Sequence, residues 1–124
     1  MEFCGLFKNF STENEGQYEA IGAFWDAMSA RFGREKLQGL GYGWTENTIC
    51  YAIGLKDGTL PSDAHYPGAV YRKIRIPDSG WLRFAGRTEQ LDQLYAKIYE
   101  EAALAYEIER FFENGDCEIF VIRA

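Results

Sequence analysis

The stretch YEIERFFENGDCEIFVI, Tyr106 to Ile122, decides the fold. Two β-forming runs flank Glu113-Asn114-Gly115-Asp116, and Asn-Gly between apolar strands is the strongest short hairpin signal a sequence offers. Read as a two-residue turn at Asn114-Gly115, it pairs Glu113 with Asp116. It then sets Phe111 opposite Glu118, Glu109 opposite Phe120 and Glu107 opposite Ile122 on one face. The other face carries Ile108, Arg110, Phe112, Cys117, Ile119 and Val121. One face is largely apolar, while the other mixes three carboxylates with Phe111 and Phe120. Side chains alternate along a strand, so the grouping within each strand survives an error in register.

Working back from the hairpin, Leu91, Leu94, Tyr95, Ile98 and Ala102 recur at helical spacing, which predicts a helix capped by Thr88 and running to about Leu104. Before it, Val70–Ile76 and Trp81–Ala85 read as strands parted by the bend Pro77-Asp78-Ser79-Gly80, and Lys56–Gly68 reads as a loop. The N-terminal half has the same order. Glu2–Phe10 predicts a strand and Ser11–Gly16 a polar loop. Tyr18, Ile21, Phe24, Trp25, Met28 and Phe32 then mark one face of a helix over Gln17–Phe32, closed by Gly33. Leu40–Trp44 and Thr48–Leu55 form a hairpin around Glu46-Asn47. Strand, helix and hairpin occur twice, which predicts one α+β domain over residues 1–124, with pseudo-symmetric β-α-β-β repeats at about 1–56 and 69–124. The expected architecture is an antiparallel sheet with two helices on one face and a ligand cleft on the other.

In the first hairpin, Tyr42 and Trp44 share one face of one strand, and Ile49, Tyr51 and Ile53 share one face of the next; Gly43, Cys50, Ala52 and Gly54 point the other way. Small residues suit close approach of a helix, so the first helix is expected to cover the small face and leave the rings uncovered, beside the carboxylates. A Glu on an edge hairpin is more often simply solvated. Glu118, however, alternates with Phe120 and Ile122, poor choices for a solvated face. A carboxylate among rings suits a lipophilic cation, each contact contributing about 0.5–2 kcal/mol. Trp25 and Tyr18 on the first helix, and Tyr95 and Tyr99 on the second, could reach such a site, although rings on a helix face more commonly serve the core.

The formal net charge of −6 disfavours nucleic acid and anionic membrane surfaces as direct partners. No apolar run is long enough for a membrane span or a signal core, so the expected location is the cytoplasm. Cys4, Cys50 and Cys117 are odd in number and widely spaced, which points to reduced thiols rather than disulfides. His65, the single histidine, lies in a loop, so neither a triad nor a tetrahedral metal set can be assembled, and no phosphate-binding or dinucleotide fingerprint occurs. No cofactor or metal is expected. Twenty aromatic residues, 16% of the chain, exceed the needs of a core this size and reinforce the expectation of a ring-lined ligand site.

The chain resembles the gyrase-inhibitor-like effector-binding domains, found fused to AraC-type and MerR-type regulators and as free-standing proteins, including integron-cassette effector-binding proteins. The resemblance covers nearly the whole chain and rests on Ile21 with Phe24-Trp25, Tyr42-Gly43, Tyr51-Ala52-Ile53-Gly54, Ile76-Pro77-Asp78-Ser79-Gly80-Trp81, Gly86 and Glu118-Ile119-Phe120. It implies two strand–helix–strand–strand repeats and an aromatic cleft that binds hydrophobic, often cationic, drug-like molecules through a glutamate. Glu118 matches the acid of the family's terminal motif, and Glu107 or Glu109 lies where a second acid is expected, with the choice between them open. The expected ligand-binding residues are therefore Glu118, Phe120, Glu107, Glu109, Phe111, Tyr42, Trp44, Tyr51 and Trp25, with no catalytic group. Phe120 departs from the usual Tyr, and the Pro77–Gly80 bend is one residue longer than usual. No helix-turn-helix segment accompanies the domain, so a role in transcription would require a separate DNA-binding regulator. The alternatives are a protein-interaction module directed at gyrase, as for the family's inhibitors, and a glutamate-dependent hydrolase of small molecules.

Overall fold

The structure, a computed structural model, describes residues 1–100 and 103–124. Its elements are β1 (Glu2–Ser11), α1 (Gln17–Phe32), β2 (Leu37–Tyr42), β3 (Thr48–Leu55), β4 (Val70–Arg75), β5 (Leu82–Arg87), α2 (Leu91–Tyr99), β6 (Leu104–Phe111) and β7 (Asp116–Arg123). The strands make one antiparallel sheet in the order β4-β1-β3-β2-β6-β7-β5.

The edge strands β4 and β5 are consecutive in sequence yet stand at opposite ends of this sheet. The chain from Arg75 to Leu82 can reach at most about 25 Å, whereas the edges of a flat seven-stranded sheet lie about 29 Å apart. The sheet must therefore curl. The concave face closes over Phe3, Phe7, Leu40, Ala52, Ile76 and Ile108, with Trp81 and Phe120 packed against them. Trp81 locks the crossing by donating its indole N–H to the Pro77 carbonyl at 2.9 Å.

Both helices cover the convex face. α1 buries Phe24, Trp25 and Met28 against Leu6, Phe10, Ile49, Tyr51 and Ile53, each such side chain contributing about 1.5–3 kcal/mol. Gly33 ends the helix at φ +88 while its N–H still bonds the Ser29 carbonyl. The expectation that α1 would cover the small face is overturned. Cys50 and Ala52 belong to the concave side, where Phe3 and Phe7 fill the space, and the larger Ile49, Tyr51 and Ile53 give the helix more apolar surface to bury. Gly54 serves an approach between strands, since a Cβ there would strike the Cys4 carbonyl oxygen.

α2 packs Ile98 against Leu104, Ile119 and Val121. It is shorter than its periodicity predicts: it begins at Leu91 after a 3₁₀ turn at Thr88–Gln90, and Leu104, expected as its last residue, starts β6. Thr88 does not cap the helix, because its hydroxyl is directed at the Asp116 carbonyl across the sheet end. Ala102, expected on the apolar face, lies outside the described residues. No described helix is long and apolar enough to cross a membrane.

The largest departure is in the hairpin itself. Phe112 N–H bonds the Asp116 carbonyl and Gly115 N–H bonds the Phe112 carbonyl, so the loop is the three residues Glu113–Gly115. A two-residue primed turn needs positive φ at both central positions, and here only Gly115 has it, at +89. Arg87 holds this loop through the Asn114 carbonyl and the Asp116 carboxylate, each at 2.8 Å. The pairs are Glu107–Val121, Glu109–Ile119, Arg110–Glu118 and Phe111–Cys117. One residue of slip moves Glu118 and Phe120 to the opposite face from Glu107, Glu109 and Phe111, although the grouping within each strand is unchanged.

Candidate functional site

α1 lies mainly over β1 and β3, and α2 over β5 and β7, so the middle of the central strands β2 and β6 falls in the gap between the two helices. There β2 presents Gly39 and Gly41, paired with Glu109 and Glu107 of β6. Neither glycine nor carboxylate offers a helix apolar surface to bury. The gap is a cavity of about 830 Å³, in the range of small-molecule sites. Tyr51, Glu107, Glu109 and Phe111 form its floor, Trp25 and Tyr18 stand on the α1 wall, and Tyr95 and Tyr99 on the α2 wall.

The glycines make the floor possible. A Cβ on Gly39 would collide with the Tyr51 hydroxyl and come within 2.9 Å of the Trp25 ring, and one on Gly41 would stand 3.0 Å from Glu107 Oε1. With that space free, Trp25 Nε1 donates to the Tyr51 hydroxyl at 2.8 Å, and Tyr51 donates to Glu109 Oε1 at 2.5 Å. Tyr99 donates to Glu107 Oε2 at 3.2 Å. Tyr95, its ring stacked on Tyr99, directs a buried hydroxyl toward Glu109, yet it has no partner at normal hydrogen-bond length among the described residues. The buried side-chain oxygen of Gln17, also on the lining, has none either.

Glu107 and Glu109 are 5% and 8% exposed, and no cation among the described residues comes within ion-pair distance of either. Arg34 is the one cation among the described lining residues, and its guanidinium lies 3.9 Å from the centre of the Phe111 ring. Burial, and then the neighbouring Glu109 charge, push Glu107 from 4.5 to about 8, against the opposing effect of the Tyr99 hydrogen bond. Glu109 is also raised by burial, with Tyr51, Tyr95 and Arg34 pulling the other way. The Tyr51, Tyr95 and Tyr99 hydroxyls are raised by burial and by these carboxylates, so they remain donors. The floor therefore carries two closely spaced acids, both raised by burial and held by neutral donors.

Of the residues expected at a ligand site, Trp25, Trp44, Tyr51, Glu107, Glu109 and Phe111 line this one cavity. Trp44 reaches it because Gly43, at φ +66, ends β2 and breaks the alternation with Tyr42. Tyr42 is on the concave face, stacked on Tyr106 with ring centres 6.0 Å apart. Glu118 is also on that face, 19% exposed, and accepts a 2.5 Å bond from Arg83. Phe120 packs in the concave cluster beneath Arg110. Those three do not reach the cavity, which lies between the helices rather than on the sheet's other face. The sequence reading passed over Gln17, Asp26, Arg34 and Asp92 of the lining. The spacing of Asp92, Tyr95 and Tyr99 on one helix was the available signal for the α2 wall.

Compared with protein-family models, with characterised proteins and with solved structures, the chain matches none.

Proposed function

We propose that the chain is a binding module for a hydrophobic cation, held between α1 and α2 with its positive charge over Glu107 and Glu109. The observation that carries this reading is a pair of buried carboxylates, unpaired by any described cation, on the floor of a ring-lined cavity. Such acids are costly to bury alone, and a ligand cation would offset that cost while the surrounding rings favour positive charge. Glu109 takes the counter-ion role that the sequence suggested for Glu118.

The resemblance to gyrase-inhibitor-like effector-binding domains fits this reading. It is supported by the strand order, in which β2-β3-β1 and β6-β7-β5 run outward from the centre as matching triplets, each with its own helix. On that reading the cavity lies between two β-α-β-β repeats, and the module acts as a sensor, as a sequestering protein or beside a DNA-binding regulator. A second reading is favoured by Glu107 alone: a buried carboxyl raised to about 8 on the floor of a cavity suits a general base or acid acting on a reactive small molecule.

Titration with a hydrophobic dye cation tests the first reading. Saturable quenching of Trp fluorescence is expected, because Trp25 and Trp44 line the cavity. Glu109→Gln should weaken binding by about tenfold or more, the worth of one charge-assisted contact. Glu118→Gln should leave it unchanged. Absence of saturable binding across a panel of such cations overturns the proposal, and conversion of the bound compound on long incubation selects the second reading.

A further inference from the structure

Within the cation-binding reading, the floor specifies more than one positive charge. Glu107 and Glu109 stand two residues apart on β6 and face the same way, so their attachment points are about 7 Å apart. Each is already served on one oxygen by a tyrosine hydroxyl: Tyr99 reaches Glu107 Oε2 and Tyr51 reaches Glu109 Oε1. Glu107 Oε1 and Glu109 Oε2 have no protein donor among the described side-chain hydrogen bonds, and both belong to groups more than nine-tenths buried. Gln17 adds a buried carbonyl-type acceptor that has no donor among the described residues. The unmet demand on the lining is thus for N–H or O–H donors, beyond a diffuse positive charge.

We infer that the site takes ligands bearing two protonated nitrogens about 7 Å apart, such as a short diamine or an aryl-bridged bis-amine, with one nitrogen on each carboxylate. The rings of Trp25, Phe111 and Tyr95 then enclose the linker. A quaternary ammonium satisfies the charge but supplies no donor, and a single amine pairs with only one of the two acids. The selectivity comes from the same alternation that put two acids on one face.

Calorimetric titration of the full chain with para-bis(aminomethyl)benzene, 4-methylbenzylamine and the bis-trimethylammonium analogue of the first tests this. The bis-amine should bind at least about tenfold more tightly than the mono-amine and than the quaternised compound, the worth of one additional charge-assisted hydrogen bond. Glu107→Gln should remove the advantage of the second amine while mono-amine binding persists. Equal affinity for mono-amine and bis-amine, or equal affinity for the quaternised compound, overturns the inference and leaves the cation-binding proposal standing. Absence of saturable binding by all three overturns both. The comparison of ligands on the unaltered chain does not depend on whether a variant folds.

Discussion

Glu107 should make the fold less stable as pH rises through neutrality, contrary to the behaviour of a surface-paired acid. In the unfolded chain its carboxyl titrates near 4.5, and in the folded protein burial and Glu109 raise it to about 8. Between those values the folded state holds more protons than the unfolded state, so stability must fall with increasing pH. The contribution is complete below 4.5, declines by about 1.4 kcal/mol per pH unit and is gone by about 8. Over that window the loss is on the order of 5 kcal/mol, a large share of the 5–15 kcal/mol usual for a domain. Glu109, also raised by burial, acts in the same direction. Asp63, lowered by Arg31, is ionised in both states throughout this range and does not oppose the trend. Urea unfolding followed by Trp fluorescence at pH 5, 6, 7 and 8 reads the effect directly. With a slope of about 1–3 kcal/mol/M, the midpoint should drop by more than about 1 M between pH 5 and 8. Glu107→Gln, which keeps the shape of the neutral acid, should flatten the dependence and be the more stable protein at pH 8. A wild-type midpoint that stays level or rises from pH 5 to 8, or a Gln variant with undiminished slope, would refute the argument.

Gly39→Ala should destabilise the fold by about 1–3 kcal/mol, because its Cβ would displace Tyr51 and Trp25; thermal melts check this, and Gly22→Ala, within α1 and with open space around it, serves as the comparison expected to lose no stability. Tyr51→Phe should cost about 1–3 kcal/mol, since it removes an acceptor from Trp25 and a donor from buried Glu109; it should also raise the Glu109 carboxyl further, visible by carboxyl NMR titration. Gly115→Ala should destabilise by about 1 kcal/mol or more, because the position needs positive φ and Arg87 crowds the new methyl group. Glu118→Gln should change stability by less than about 1 kcal/mol, since its partner Arg83 is half exposed; chemical denaturation measures it.

The element order was legible because each signal was local. The 3.6-residue recurrence from Tyr18 to Phe32, Gly33 beyond it, and the paired β-runs around Asn114-Gly115 each bias the backbone whatever surrounds them. Within-strand alternation also held, which is why Glu107, Glu109 and Phe111 remained together. What could not be read was the relation between elements. The register across the last hairpin turned on whether Asn114 joined Gly115 at positive φ, a difference smaller than any pattern in the residues. The sheet face chosen by α1 depended on where the long crossing from β4 to β5 would force the curl, and that is a property of strand order rather than of either hairpin.

These two uncertainties bear unequally on the site. A wrong sheet face moves the cavity from one side to the other but keeps its floor, since β6 carries the acids in either case. A wrong register changes the floor itself, because it decides whether the acids of β6 lie beside Phe120 and Glu118 or beside Ile119 and Val121. With the observed register no third acid faces the cavity from β7, and the apolar Ile119 and Val121 stand beside Glu109 and Glu107. The slip that removes Glu118 from the site thus also sets the two acids of β6 against apolar neighbours, where burial raises both carboxyls, so that a ligand cation arriving at Glu107 exchanges with a proton as well as with water.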